Sequence, residues 1–120
     1  LKHHPMDRGR VNHYSYIRKL SKELGIAHKV HIIYDVHLPT MLKNAISTIT
    51  INSTVGLSSL YHNIPVICLG EAFYDIEGLT AKGVHIDNFW HMNIEIDKNL
   101  YYKFRHYLIK YTQLNDSFYK

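Results

Sequence analysis

The chain has 120 residues, 46% of them hydrophobic and 20% charged, with a formal net charge of +4. That supplies enough apolar material for one packed core and excludes wholesale disorder, while no apolar run approaches the roughly 18–20 residues that span a bilayer. A single cysteine, Cys68, excludes an internal disulfide and a cysteine-based zinc site.

Residues 1–4 read as the end of a strand, stopped by Pro5. A loop with Gly9 follows, and Asn12 is placed to cap a helix. Tyr14, Ile17, Leu20, Ser21 and Leu24 keep helical spacing up to Gly25, a good residue for a left-handed stop. Residues 30–34 are a short apolar run and predict a buried strand. After a loop over 35–39, Thr40 is placed to cap a short helix through Ala45. Residues 48–52 are rich in β-branched side chains and predict the next strand. Ser53 and Thr54 stand where a helix reaching Tyr61 would start, and Asn63 can end it in the left-handed conformation. Residues 66–69 predict a further strand, opened by Pro65 and closed by Gly70. A loop over 71–84 carries Gly78 and Gly83. Asp87 is placed to cap a short helix over 88–91. Asp97 caps a last helix with periodic Leu100, Phe104, Tyr107, Leu108 and Tyr111. Short apolar strands alternating with helices predict an α/β fold, a Rossmann-like parallel sheet with flanking helices, in one continuous domain over 1–120. A start at Leu1, without Met or a signal peptide, reads as part of a cytosolic protein whose N-terminal portion is missing.

Charge is unevenly spread. Residues 1–31 carry seven bases against two acids, and residues 71–97 carry six acids against Lys82 alone. A basic segment attracts phosphate-bearing ligands or an anionic membrane. Arg18, Lys19 and Lys22 read as an ordinary solvated helix face, whereas Arg8 and Arg10 lie in a loop and are better ligand candidates.

In an open parallel sheet, ligands bind beyond the carboxyl ends of the strands. Four polar segments fall there: Lys2 to Arg10, Asp35 to Pro39, Asn52 to Gly56, and Gly70 to Asp75. A helix start offers free backbone N–H groups and a partial positive charge, so a phosphate at Ser53 and Thr54 needs no basic side chain. Gly56 would allow a close approach. The plain alternative is that Ser53 and Thr54 only cap the helix. His4 is held extended by Pro5, so its imidazole has a fixed direction from which to donate to a phosphate or protonate a leaving group. Asp35, Glu71 and Asp75, with His37, are candidates for a sugar or acceptor hydroxyl. No histidine spacing matches a known ligand pattern, so no metal is expected. The tyrosine stripe at 101–111 reads as helix packing and Cys68 as inert core. A pI near 9.1 is the main support for nucleic-acid binding, and no nucleic-acid motif accompanies it.

Taken together, Lys2-His3-His4-Pro5-Met6-Asp7-Arg8-Gly9, Asp35-x-His37-Leu38-Pro39-Thr40, Thr50-Ile51-Asn52-Ser53-Thr54-Val55-Gly56-Leu57, Tyr74-Asp75-Ile76-x-Gly78-Leu79-Thr80 and Phe89-Trp90 resemble bacterial capsule polysaccharide biosynthesis and export proteins. So does the closing Thr112-Gln113-Leu114-Asn115-Asp116-Ser117-Phe118-Tyr119. The resemblance covers nearly the whole chain in the family's order. That family is similar to retaining β-Kdo glycosyltransferases with CMP-Kdo as donor substrate and no cofactor. The resemblance implies the C-terminal, nucleotide-sugar-binding lobe of a glycosyltransferase-B-like fold. It implies that His4 with Pro5, and Ser53 with Thr54, meet the donor phosphate; Arg8 and Gly56, read from charge and from space for a close approach, join them as nucleotide-binding candidates. The implied acceptor is lipid-linked at the inner membrane surface, so the implied location is cytoplasmic and peripheral to that membrane, next to the capsule export machinery. Acidic catalytic residues are implied in the preceding lobe, so this chain by itself is expected not to turn over. The competing expectation is a non-catalytic export or scaffold component that binds lipid or partner proteins through the basic stretch 8–29.

Overall fold

The computed structural model describes residues 1–2, 11–34 and 36–112. The expectations for His4, Pro5, Arg8 and Asp35 fall outside the described residues. Two compact units form, residues 1–37 and 38–120.

In the first unit, α1 spans His13–Glu23. Asn12 caps it as expected, its side chain accepting from the Ser15 amide at 3.0 Å. Gly25 follows at a φ of +68°, and the amides of Gly25 and Ile26 close back onto Lys22 and Ser21. A 3-10 turn, Ala27–Lys29, comes next. The buried strand expected over 30–34 is not there. The run makes one parallel bridge, Ile33 with Lys2, supported by the Leu1 ammonium on the His31 carbonyl at 2.7 Å. Tyr34 is 54% exposed. A strand buried on both faces needs partners along its length, and among the described residues the run makes this one bridge.

The second unit runs α2 (Leu38–Lys43), β1 (Thr48–Thr50), α3 (Val55–Tyr61), β2 (Val66–Cys68), α4 (Ile86–Phe89) and α5 (Lys98–Tyr111). α2 starts two residues before Thr40, with Pro39 in its first turn, where a missing N–H costs nothing. β1 and β2 pair in parallel, with Thr48, Ile49 and Thr50 opposite Val66, Ile67 and Cys68. Among the described residues this is a two-stranded sheet, smaller than expected.

Side-chain alternation along β2 divides the core between the two sheet faces. On one face Val66 joins Leu60, Tyr74 and Leu79, with Cys68, Leu100, Tyr101 and Phe104 packed around them. On the other, Ile67 joins Ala81 and Phe89, flanked by Val84, Ile86 and Ile94. β2 is therefore covered on both sides, as a parallel strand requires. Ser59 is fully buried yet satisfied: it donates to the Val55 carbonyl and meets the Thr48 hydroxyl, both at 2.9 Å.

Asn63 ends α3 at a φ of +58°, as expected. α4 begins two residues earlier than expected. His85 caps it, accepting from the Asp87 amide at 3.4 Å, and Asp87 sits inside the first turn. Asp97 caps α5, accepting from the Leu100 amide at 2.9 Å. Leu100, Tyr101 and Phe104 reach the core, but Tyr107 and Tyr111 are 57% and 62% exposed. The periodicity of α5 continues past the end of the core it packs on.

Candidate functional site

Parallel strands deliver the segments that follow them to the same sheet edge. Backbone bonds carry the β1–β2 pairing into those segments: Leu69 donates to Thr50 at 2.8 Å and Gly70 to Ile51 at 2.9 Å. A Cβ on Gly70 would lie 2.8 Å from Cγ2 of Ile51, so any other residue here would have to displace that exposed side chain. Two of the four expected segments therefore meet, the one over 52–56 and the one over 70–75.

Ser53 is built into its turn through three of its groups. Its amide donates to the Thr50 hydroxyl at 3.1 Å, and its own hydroxyl accepts from the Val55 amide at 3.3 Å. Its carbonyl accepts from the Gly56 amide at 3.0 Å and from the Tyr74 phenol. Two amides of the first turn of α3 are thus already taken, so the Ser53 hydroxyl is a cap, and a phosphate would find fewer open N–H groups there than expected. Thr54 differs. It occupies the cap position, is exposed and makes no side-chain capping bond. Of the two hydroxyls, that of Thr54 is the one left to meet a ligand.

Gly56 is buried, and the space its missing Cβ leaves belongs to Tyr74: a Cβ would lie 2.6 Å from Cζ of that ring. The close approach that Gly56 permits is made by a side chain of this protein. Tyr74 is fully buried, and burial, followed by the neighbouring Cys68, holds its phenol protonated far above the ordinary range.

Beyond β2, a shallow groove of about 640 Å³ is lined by residues 68–73, Asp75 and Lys82. It brings Glu71 and Asp75 into one cleft. Asp75 is half-buried and accepts from the Thr80 hydroxyl at 2.5 Å, which fixes one carboxylate oxygen. Cys68 opens onto the same groove. Burial raises its thiol pKa, with the Tyr74 hydroxyl opposing the rise and nearby Asp75 adding to it, so the thiol stays protonated at neutral pH. His37 is exposed just before α2 and does not line this groove. A smaller apolar groove of about 380 Å³ lies between α2 and α3, lined by Leu38, Leu42, Leu57 and Tyr61 among others, and holds no candidate residue. Among the described residues no group of three His, Cys, Asp or Glu is arranged to hold a metal ion.

Sequence reasoning passed over Tyr74 and Lys82 as site residues. Tyr74 stands inside one of the quoted motifs, which was a usable signal. Lys82 reaches the groove only through the turn over 76–80, which composition does not encode.

Residues 1–119 match the family described as capsule polysaccharide biosynthesis protein. The chain belongs to that family. It is 44% identical over 119 residues to the capsule polysaccharide export protein KpsS of Escherichia coli, covering 99% of this chain and 30% of that protein. It is 42% identical over 120 residues to the capsule polysaccharide modification protein LipB of Neisseria meningitidis serogroup A, covering 99% of this chain and 28% of that protein, and matches LipB of serogroup B equally. The chain thus spans under a third of the length of these relatives. No solved structure matches it. No helix among the described residues is long and apolar enough to cross a membrane.

Proposed function

We propose that residues 1–120 supply the donor-binding lobe, glycosyltransferase-B-like, of a transferase that moves Kdo from CMP-Kdo to a lipid-linked acceptor in capsule polysaccharide biosynthesis and export. The observation that carries this is the common sheet edge. The turn bearing the exposed Thr54 hydroxyl and the groove bearing Glu71 and Asp75 both follow parallel strands there, where ligands of such sheets bind. Family membership supplies the polysaccharide context.

In this reading Thr54 donates to the donor phosphate, and Ser53 and Gly56 shape the turn that presents it. His4 and Arg8 are proposed as further donor-phosphate residues, His4 on the family resemblance and Arg8 on its charge. Glu71 and Asp75, in the groove, contact sugar or acceptor hydroxyls; Asp35 and His37 are assigned to such hydroxyls from the sequence alone. In the transfer step the bond from the anomeric carbon to the phosphate oxygen breaks, and CMP leaves with the electron pair. An acceptor hydroxyl oxygen bonds to that carbon and gives its proton to a carboxylate of the preceding lobe. His4 stabilises the charge growing on the departing phosphate, an effect larger in a dry site than in water. No cofactor or metal takes part. Turnover needs the preceding lobe, and the working location is the cytoplasmic side of the inner membrane, beside the export machinery.

The full-length protein is expected to bind CMP in calorimetry. His4→Ala should lower transfer by about 10²–10³ with thermal unfolding unchanged. Transfer at the wild-type rate in that variant would remove His4 from the mechanism, and no CMP binding by the wild type would remove the donor reading.

One observation favours a second reading. α1 is exposed along most of its length and presents Arg18, Lys19 and Lys22, and the Escherichia coli relative is named for export. A protein that ignores CMP but floats with anionic vesicles is then an export or scaffold component.

A further inference from the structure

We propose that Tyr74 is the positioning residue of the site: it locks the Thr54-bearing turn to the groove, at one separation. This inference rests on the donor-binding reading above, and deepens it. Tyr74 belongs to the segment after β2, yet its phenol donates to the Ser53 carbonyl, in the segment after β1. Its ring fills the space beside Gly56, where any other residue would displace it. Its chain neighbours Phe73 and Asp75 line the groove. One fully buried side chain therefore joins the two segments that a nucleotide sugar has to bridge, with its phosphate at one and its sugar at the other.

The lock has a second half. Thr50, the last residue of β1, accepts the Ser53 amide at 3.1 Å, so Ser53 is held at its amide from the strand and at its carbonyl from Tyr74. With both bonds made, Thr54 is presented before any ligand arrives, and ordering the turn is not charged to binding. Removing either bond frees the turn without touching a ligand-contacting atom.

The test is CMP calorimetry on the full-length protein, beside thermal unfolding. Tyr74→Phe keeps the ring and removes the hydroxyl, and with it the bond to the Ser53 carbonyl and the contacts with Cys68 and Thr50. Thr50→Val keeps the shape and removes the acceptor of the Ser53 amide, along with the Thr50–Tyr74 hydroxyl contact. Each is expected to weaken CMP binding about tenfold, the value of one net hydrogen bond at the upper end of its usual range. Leu100→Ala trims the same core cluster without touching either bond; it should lower the unfolding temperature and leave CMP affinity unchanged. Wild-type affinity in Tyr74→Phe overturns the positioning role while the donor reading stands. Affinity losses that follow the loss in unfolding temperature across all three variants overturn it as well. A wild-type protein that does not bind CMP overturns both.

Discussion

Gly56 and Tyr74 form a matched pair. Glycine in a helix gives up about 1 kcal/mol relative to alanine, so Gly56→Ala would stabilise an isolated α3. In the folded chain the added methyl enters the Tyr74 ring, which is fully buried and held by its bond to the Ser53 carbonyl. Overpacking of this kind costs about 1–3 kcal/mol. Gly56→Ala is therefore expected to destabilise, read as a lower midpoint in urea. In a Tyr74→Leu background the same change should cost less, because the residue it collides with is gone. An additive pair of losses would show that the two do not touch. Ser53 makes the same point about roles: its hydroxyl reads as a ligand group or as a cap in the sequence, and its bond from the Val55 amide makes it a cap.

Among elements, α5 shows how one helix can be legible in part. Asp97 and the apolar spacing of Leu100, Phe104 and Leu108 marked its start and its inward face, and the structure confirms both at Leu100 and Phe104. Asp97→Ala should remove about 1 kcal/mol, the usual worth of such a cap. Thermal unfolding would register it, and an unchanged midpoint would mean that α5 is held by its packing alone. Tyr107 and Tyr111 kept the period but stand exposed, outside the core formed by the described residues, since periodicity describes one helix and not the extent of what lies beside it. β1 and β2 were legible for a related reason. Their β-branched and apolar residues suit a pleated surface, and Ile67 opposite Val66 and Cys68 needs cover on two sides. The run at 30–34 has the same composition and makes one bridge among the described residues, and composition alone does not supply the partner backbone a strand needs.

For the whole molecule, buried phenols and a thiol set an alkaline limit. Burial raises Tyr74 and Tyr101 above their ordinary value of 10.0, and Cys68 above 9.0. The unfolded chain loses these protons first, so rising pH favours unfolding. Stability should be intact below about pH 9 and fall as pH climbs past 10. Urea midpoints between pH 8 and 11 would show the fall, shallower in Tyr74→Phe; a flat profile would mean that these groups titrate alike in both states. The sequence by itself settled what depends on neighbours along the chain: helix caps at Asn12 and Asp97, the left-handed stops at Gly25 and Asn63, the parallel β1–α3–β2 unit and the family motifs. Local backbone preference and side-chain period act over a few residues and can be read there. Only the tertiary structure decided that Gly56 makes room for Tyr74, that Ser53 is spent inside its turn while Thr54 is left open, and that Lys82 joins Glu71 and Asp75 in one groove. Those outcomes depend on which distant atoms compete for the same space and the same lone pairs, and that competition exists only once the chain has folded.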